Sequence, residues 1–308
     1  VPVLNGGARF LELLRAVAGQ ANTAGVKLEI LIVDSGSTDG STEAARAAGA
    51  RVIEIDKSDF QHGRTRNLIV AEARGDVVAL LTDDAVPATP NWLDAIVEGF
   101  AVADDVALVF GSQLPLPEHP HYVRRESLAH FNHWNTGAGP VVQRKGDDSF
   151  FADSNGAVAR WAWQQHPYRE VPYAEDQVIG REMLEAGFAK VFHPGASVMH
   201  SHDYGVIGSM QRTFDDYRGV LEVLGYRSEV GVRSGLRSVI GLTREDRALL
   251  RSEGVSGAAL IVSSLKSVRY YCLRIFGEWM AARADRLPDR LTRRLSYEGR
   301  PGVTWFTP

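Results

Sequence analysis

The sequence predicts an α/β fold with a central, mostly parallel sheet flanked by helices and a helical C-terminal region. Three observations carry the prediction. Short apolar runs alternate with helical patterns through the first half, the signature of βαβ units. The runs at 28–33 and 77–81 are nearly continuous in apolar residues, as expected of strands buried on both faces. In the last part, apolar positions recur at steps of four and three, a helical stripe.

Residues 1–4 read as a strand end, and Phe10, Leu13, Leu14 and Val17 as one face of a helix. The strand at 28–33 leads through Gly40 to a short helix over 41–48, a strand over 51–55 and a helix over 65–73. After the strand at 77–81, Pro90 stands near the start of a helix carrying Trp92, Leu93, Ile96, Val97 and Phe100, and a strand follows at 106–110. From 113 to 149 the periodicity fails, and Pro115, Pro117, Pro120, Gly137, Gly139, Pro140 and Gly146 punctuate a segment whose length implies function or partial helix. Structure resumes over 150–160, with a helix at 175–186 and a strand pair near Val191 and Val198. The final stripe is Ile261, Leu265, Val268, Cys272, Ile275 and Trp279, with Lys266, Arg269, Arg274 and Arg283 around it. It is expected to pack against the preceding domain or a second copy; the sharper alternative is a helix lying on an anionic membrane surface.

The 308 residues suffice for one large α/β domain with an appendage, and no stretch approaches the roughly 20 uncharged apolar residues that span a bilayer. A single cysteine, Cys272, excludes an intrachain disulfide or a cysteine-based metal cluster and fits a reducing compartment, so a cytoplasmic location is expected. The start at Val1-Pro2-Val3 reads as a strand with a few residues missing, not as a targeting signal. From 230 onward there are 14 Lys and Arg against 7 Asp and Glu, while the whole chain is at −4. The acidic body argues against nucleic acid as a partner.

Ligands of open α/β sheets sit at the carboxyl ends of strands. Two acidic turns stand there. In Val33-Asp34-Ser35-Gly36-Ser37-Thr38-Asp39-Gly40-Ser41 a carboxylate follows a very apolar strand, which a structural turn alone does not require; Asp34 is suited to accept hydrogen bonds from a base or ribose. A dinucleotide-binding unit would need G-x-G-x-x-G after the first strand, and only Asn5-Gly6-Gly7 is present. The second turn, Thr82-Asp83-Asp84, pairs two carboxylates that repel unless a cation or donors compensate, which favours a hard divalent ion.

These motifs resemble glycosyltransferase family 2, with its GT-A nucleotide-sugar-binding fold. The family's early V-D-x-G-S-T-D-G-[ST] segment matches 33–41, its D-x-D turn corresponds to Thr82-Asp83-Asp84 and its E-D pair to Glu175-Asp176. The stretch Phe60-Gln61-His62-Gly63-Arg64-Thr65-Arg66-Asn67 is most similar to the bacterial rhamnosyltransferase-like branch, and the resemblance runs from Val1 to about Gly219. It implies an inverting enzyme with a GT-A domain over 1–225, divided into a nucleotide-binding half (1–112) and an acceptor half (113–225), and a helical region over 226–308. It assigns Asp176 as catalytic base with Glu175 beside it, and Asp34 and Ser35 to the base side of the donor. Asp83 falls to the ribose, Arg66 or Asn67 to the diphosphate, and Asp84 to Mg²⁺ or Mn²⁺. One departure is Thr82, where the first acid of the D-x-D turn is absent. His200, in His200-Ser201-His202, is the first candidate to replace it, and Asn155 and Gly156 form another candidate wall of the donor pocket. Trp134 is a candidate stacking platform for an acceptor sugar, with Trp161 and Trp163 more readily core residues.

The expected partners are a nucleotide-sugar donor, favoured as dTDP-L-rhamnose, and a glycan or lipid-linked acceptor, with a homodimer and peripheral contact at the inner face of the plasma membrane as further possibilities. Two other readings stay open: a sugar nucleotidyltransferase, which lacks a Gly-rich basic loop here, and a noncatalytic nucleotide-sugar-binding protein, suggested by Thr82.

Overall fold

The structure, a computed structural model, describes residues 1–171, 173–297 and 299. Pro172, just ahead of the Glu175-Asp176 helix in sequence, and the 300–308 end of the expected helical region lie outside the described residues.

The chain begins β1 (Pro2–Val3), α1 (Gly7–Ala18), β2 (Leu31–Asp34), α2 (Ser41–Ala47) and β3 (Arg51–Glu54). These strands form a parallel sheet, β1-β2-β3, with Val3 opposite Asp34. Phe10, Leu13, Leu14 and Val17, spaced along one side of α1, are all buried, and Phe10 and Leu14 pack with Val3 and Ile32. Then come α3 (His62–Glu72), β4 (Val77–Leu81), β5 (Val86–Pro87), α4 (Trp92–Ala101), β6 (Val106–Phe110) and β7 (Gln113–Leu114). The remainder is α5 (His121–Asn132), β8 (Val141–Gln143), β9 (Asn155–Ala159), α6 (Arg160–Gln165), α7 (Glu175–Glu185), β10 (Ala189–Phe192), β11 (Val198–Met199), α8 (Gly205–Leu224), α9 (Val232–Ser252), α10 (Gly257–Ala281) and α11 (Asp289–Leu295).

The first three strands form a parallel sheet of their own, and the larger sheet is mixed. Five strands run β4-β9-β6-β10-β8, with β6 and β10 parallel and the other neighbours antiparallel. Val191 and Val198 do not form the expected strand pair. Val191 lies on β10 beside β6 and β8, whereas Val198 lies on β11 in a small third sheet, β5-β11-β7. The stretch expected to lack periodicity contains α5, whose Phe131 and the following Trp134 are buried among Phe110, Phe151 and Phe192. Trp134 stacks on Phe150 and Phe192 at ring-centre distances of 5.3 and 5.8 Å, so it is a core residue and not a sugar platform. Trp161, expected in the core, is exposed at one edge of Phe188.

The chain separates into two compact units. One comprises Val1–Leu116 with Ser127–Ser201; the other comprises Pro117–Glu126 with the chain from His202 onward. In the second unit α10 packs against α8 and α9, and charged side chains fasten the 117–126 segment: Arg124 to Glu253 through two hydrogen bonds of 2.9 Å, Arg125 to the fully buried Asp246, and Glu126 to Arg274 and Tyr270. No helix among the described residues is long and apolar enough to cross a membrane.

Candidate active site

Two constellations in the first unit gather acidic side chains. The smaller sheet builds one of them. Because β11 lies between β5 and β7, with Met199 opposite Val86 and Leu114, the turn before β5, the start of β7 and the residue after β11 converge. His200 Nε2 stands 3.3 Å from Asp84 Oδ1, and His200 Nδ1 is 2.8 Å from Gln113 Oε1. The Gln113 amide nitrogen donates to Ser154 Oγ at 2.7 Å, which leaves its oxygen to accept. In the tautomer that donates from Nδ1 to Gln113 Oε1, His200 presents Nε2 as an acceptor on the Asp84 side, the arrangement in which an imidazole ligates a metal. A carboxylate oxygen and an imidazole nitrogen on one side of a partly exposed turn fit Mn²⁺ or Mg²⁺ with further oxygen ligands from a diphosphate.

Arg9 of α1 fastens the same place, donating to Asp84 O at 3.3 Å and Met199 O at 2.8 Å. Asp83 is partly buried; burial, then the neighbouring Asp84 charge, raises its pKa above the ordinary carboxylate value. Thr82 Oγ1 is buried without a hydrogen-bond partner among the described residues. Asp34, buried at the end of β2, accepts from the amides of Gly36 (3.0 Å) and Ser37 (3.0 Å), so its carboxylate shapes its own turn.

The second constellation surrounds the first turn of α7. Glu175 and Asp176 follow Ala174, whose φ of 59° is left-handed, a conformation that costs a residue with a side chain about 1–2 kcal/mol and occurs where surrounding structure enforces it. Buried Arg66 of α3 forms an ion pair with Asp153 and stands 3.7 Å from Glu175 Oε1. Tyr168 donates to the other oxygen of Asp153 at 2.6 Å. Three carboxylates thus share one guanidinium. Asp176 is raised well above the ordinary carboxylate range by burial, then by the charges of Glu175 and Asp153, with Arg66 opposing. Asp153 is raised to about 6 by burial, Arg66 again opposing.

The motif at 60–67 explains how this turn is held. Gln61 caps α3 through Arg64 N and donates to Val171 O; Arg64 pairs with Glu170 at 2.8 Å; Asn67 donates to Tyr168 O at 2.8 Å and accepts from Tyr168 N and Trp163 Nε1. Gly63 lets the segment approach, since a Cβ there would lie 2.2 Å from Arg169 O. Asn67 thus spends its carbonyl oxygen and one amide proton on holding the neighbouring 163–168 backbone and side chains. Asn155 is likewise fully buried, accepting from Trp92 and donating to Ser112 O and Ala196 O, and a Cβ on Gly156 would meet Phe151 at 2.5 Å. Both belong to the core beneath the site and not to its wall. The Ser35 hydroxyl turns inward to Val3 O at 3.2 Å.

The structure thus brings together Asp84 with His200, and Arg66 with Glu175 and Asp176. Sequence reasoning missed Arg9, Gln113, Gln61 and Tyr168. Arg9 carries no local signal, because both its acceptors are backbone carbonyls distant in sequence.

Residues 1–156 match the family model described as Glycosyl transferase family 2. The chain belongs to glycosyl transferase family 2. Among curated relatives of this glycosyltransferase, the O-antigen chain rhamnosyltransferase WbaN of Salmonella anatum is 32% identical over 227 residues, 70% of this chain and 69% of the relative. The O-antigen chain rhamnosyltransferase RfbN of Salmonella typhimurium is 29% identical over the same shares. Among solved structures, the mannosyltransferase PcManGT from Pyrobaculum calidifontis, in complex with GDP-Man and Mn²⁺, superposes with a TM-score of 0.62 at 17% identity, covering 94% of this chain and 86% of that one. Residues 1–349 of TarS from S. aureus give 0.52 at 14% identity over 89% and 88%. At these identities the two structures show the shared GT-A fold.

Proposed function

We propose that this glycosyltransferase is inverting and metal-dependent, moving L-rhamnose from dTDP-L-rhamnose to a hydroxyl of a glycan or lipid-linked acceptor in cell-surface polysaccharide synthesis, in the cytoplasm. The observation that carries the mechanism is the acidic first turn of α7. A carboxylate whose proton affinity is raised by burial and by like charges, as Asp176 is, suits removal of a proton from a hydroxyl near neutral pH. In the proposed step the acceptor oxygen bonds to the anomeric carbon as its proton passes to Asp176. The bond from that carbon to the diphosphate oxygen breaks, and the nucleoside diphosphate leaves with the electron pair, inverting the centre.

Asp84 and His200 would hold the Mg²⁺ or Mn²⁺, which when bound stabilises negative charge on the departing diphosphate. Asp34 is assigned to the base and Asp83 to the ribose. Among the described residues, 1–112 are assigned to the nucleotide-binding half, 113–225 to the acceptor half and 226–297 to a helical region. Rhamnose as the sugar is supported by the names of both Salmonella relatives, and Mn²⁺ by the ion bound to the Pyrobaculum mannosyltransferase.

Thermal stabilisation by dTDP-rhamnose, UDP-sugars and GDP-sugars, each with and without Mn²⁺, tests the donor; the largest shift is expected for dTDP-rhamnose with metal, and a larger shift with another donor would reassign the sugar. A noncatalytic nucleotide-sugar-binding protein is the second reading, favoured by Thr82 in place of the first turn acid. Metal-dependent release of dTDP that vanishes in Asp176→Asn separates the two.

A further inference from the structure

For the C-terminal apolar stripe the sequence leaves packing as the favoured expectation and an anionic membrane surface as the alternative. Within its unit, much of it faces outward. On α10 the buried face is Leu260, Ser264, Ser267, Tyr270, Tyr271, Gly277 and Met280, while Ile261, Leu265 and Val268 are 59, 63 and 37% exposed. A second stripe lies along the first half of α9, where Val232, Leu236 and Ile240 are 84, 61 and 44% exposed. Large apolar side chains so exposed and spaced by helical turns mark a surface that something covers.

The charges beside them indicate what. Each stripe repeats an apolar residue followed directly by a cation: Val232-Arg233 and Leu236-Arg237 on α9, Leu265-Lys266 and Val268-Arg269 on α10. Neighbours on a helix point about 100° apart, so the cations line one flank of each apolar stripe. All four are exposed. No acidic residue occurs from 230 to 244 or from 254 to 277. A second copy of this chain fits that pattern poorly, because a two-fold interface would set these cations against one another. Apolar side chains flanked by snorkelling Arg and Lys, with no acid among them, fit the interface of an anionic bilayer.

We infer that α9 and α10 dock on an anionic lipid surface through Val232, Leu236, Ile240, Ile261, Leu265 and Val268, with Arg233, Arg237, Lys266 and Arg269 against the headgroups. This inference rests on and deepens the proposed action on a lipid-linked acceptor, but does not depend on the identity of the sugar.

Flotation of the full chain with vesicles of phosphatidylcholine alone, or containing phosphatidylglycerol, provides the test. The chain is expected to float with the anionic vesicles and not the neutral ones, and high salt should release it. Leu236→Glu with Leu265→Glu should weaken binding by more than about tenfold, and reversing Lys266 and Arg269 to Glu should weaken it by about tenfold or more. Both variants should keep the wild-type circular dichroism and donor hydrolysis, so loss of vesicle binding is distinguished from misfolding and from failure of the catalytic reading. Absence of wild-type flotation, equal binding to neutral vesicles, or a dimer by light scattering that the Glu variants dissociate would each overturn the inference.

Discussion

The two acidic constellations differ in what their surroundings allow a carboxylate to do. At the 82–84 turn Asp84 is partly exposed and faces the Nε2 nitrogen of His200, an arrangement that a divalent ion would complete. Around α7, Asp153 and Glu175 flank one buried guanidinium with Asp176 next to Glu175, and burial with mutual repulsion raises the proton affinity of Asp153 and Asp176. Both contain adjacent acids in the sequence; one environment suits a cation and the other a proton. The difference comes from the partners: an oriented histidine in the first case, and like charges in a dry setting in the second.

The comparison can be broken most sharply at Asp176. Asp176→Asn removes the proton acceptor but keeps shape and donor contacts, so turnover should fall about 10²- to 10⁴-fold while calorimetry finds donor affinity within a few-fold of wild type. Next, Arg66→Met leaves buried carboxylates without their cation. A loss of about 3–5 kcal/mol in urea unfolding is expected, larger at pH 8 than at pH 5 because the raised pKa values mean that these acids become protonated, and tolerate the loss, as pH falls. A loss independent of pH would show that Arg66 acts through packing alone.

On the metal side, Gln113→Leu frees His200 Nδ1 without touching either proposed ligand, and Mn²⁺ affinity measured by electron paramagnetic resonance should fall about 10- to 100-fold. The same substitution should leave the pH dependence of turnover at saturating metal where it was. The smallest effect expected is at Glu175. Glu175→Gln withdraws a like charge from beside Asp176, so the acidic limb of the pH–rate profile should move to lower pH; a move upward would show that Glu175 does not act on Asp176 as a neighbouring charge.

Much of the fold was legible because its signals are local. The strand at 77–81 and the helix face of Phe10, Leu13, Leu14 and Val17 follow from periodicity alone. The antiparallel pairing of β9 and the placement of Val198 in a third sheet were not legible, since short apolar strands carry no mark of their neighbours. The acids announced themselves as charges at strand ends or a helix start. Their division of labour did not, because it depends on Gln113, Arg9 and Tyr168, which reach the site from other elements. Asn67 and Asn155 show the converse. Polar residues in or near recognisable motifs were read as ligand contacts, yet each satisfies buried groups that hold the neighbouring backbone in place.

If Asp176 is the base of a sugar-transfer reaction, dTDP release from dTDP-rhamnose with Mn²⁺, compared between wild type and Asp176→Asn at matched donor occupancy, tests it most directly. The account predicts metal-dependent release by the wild-type chain and a rate at least about 100-fold lower in the variant. Equal rates in the two proteins would contradict it.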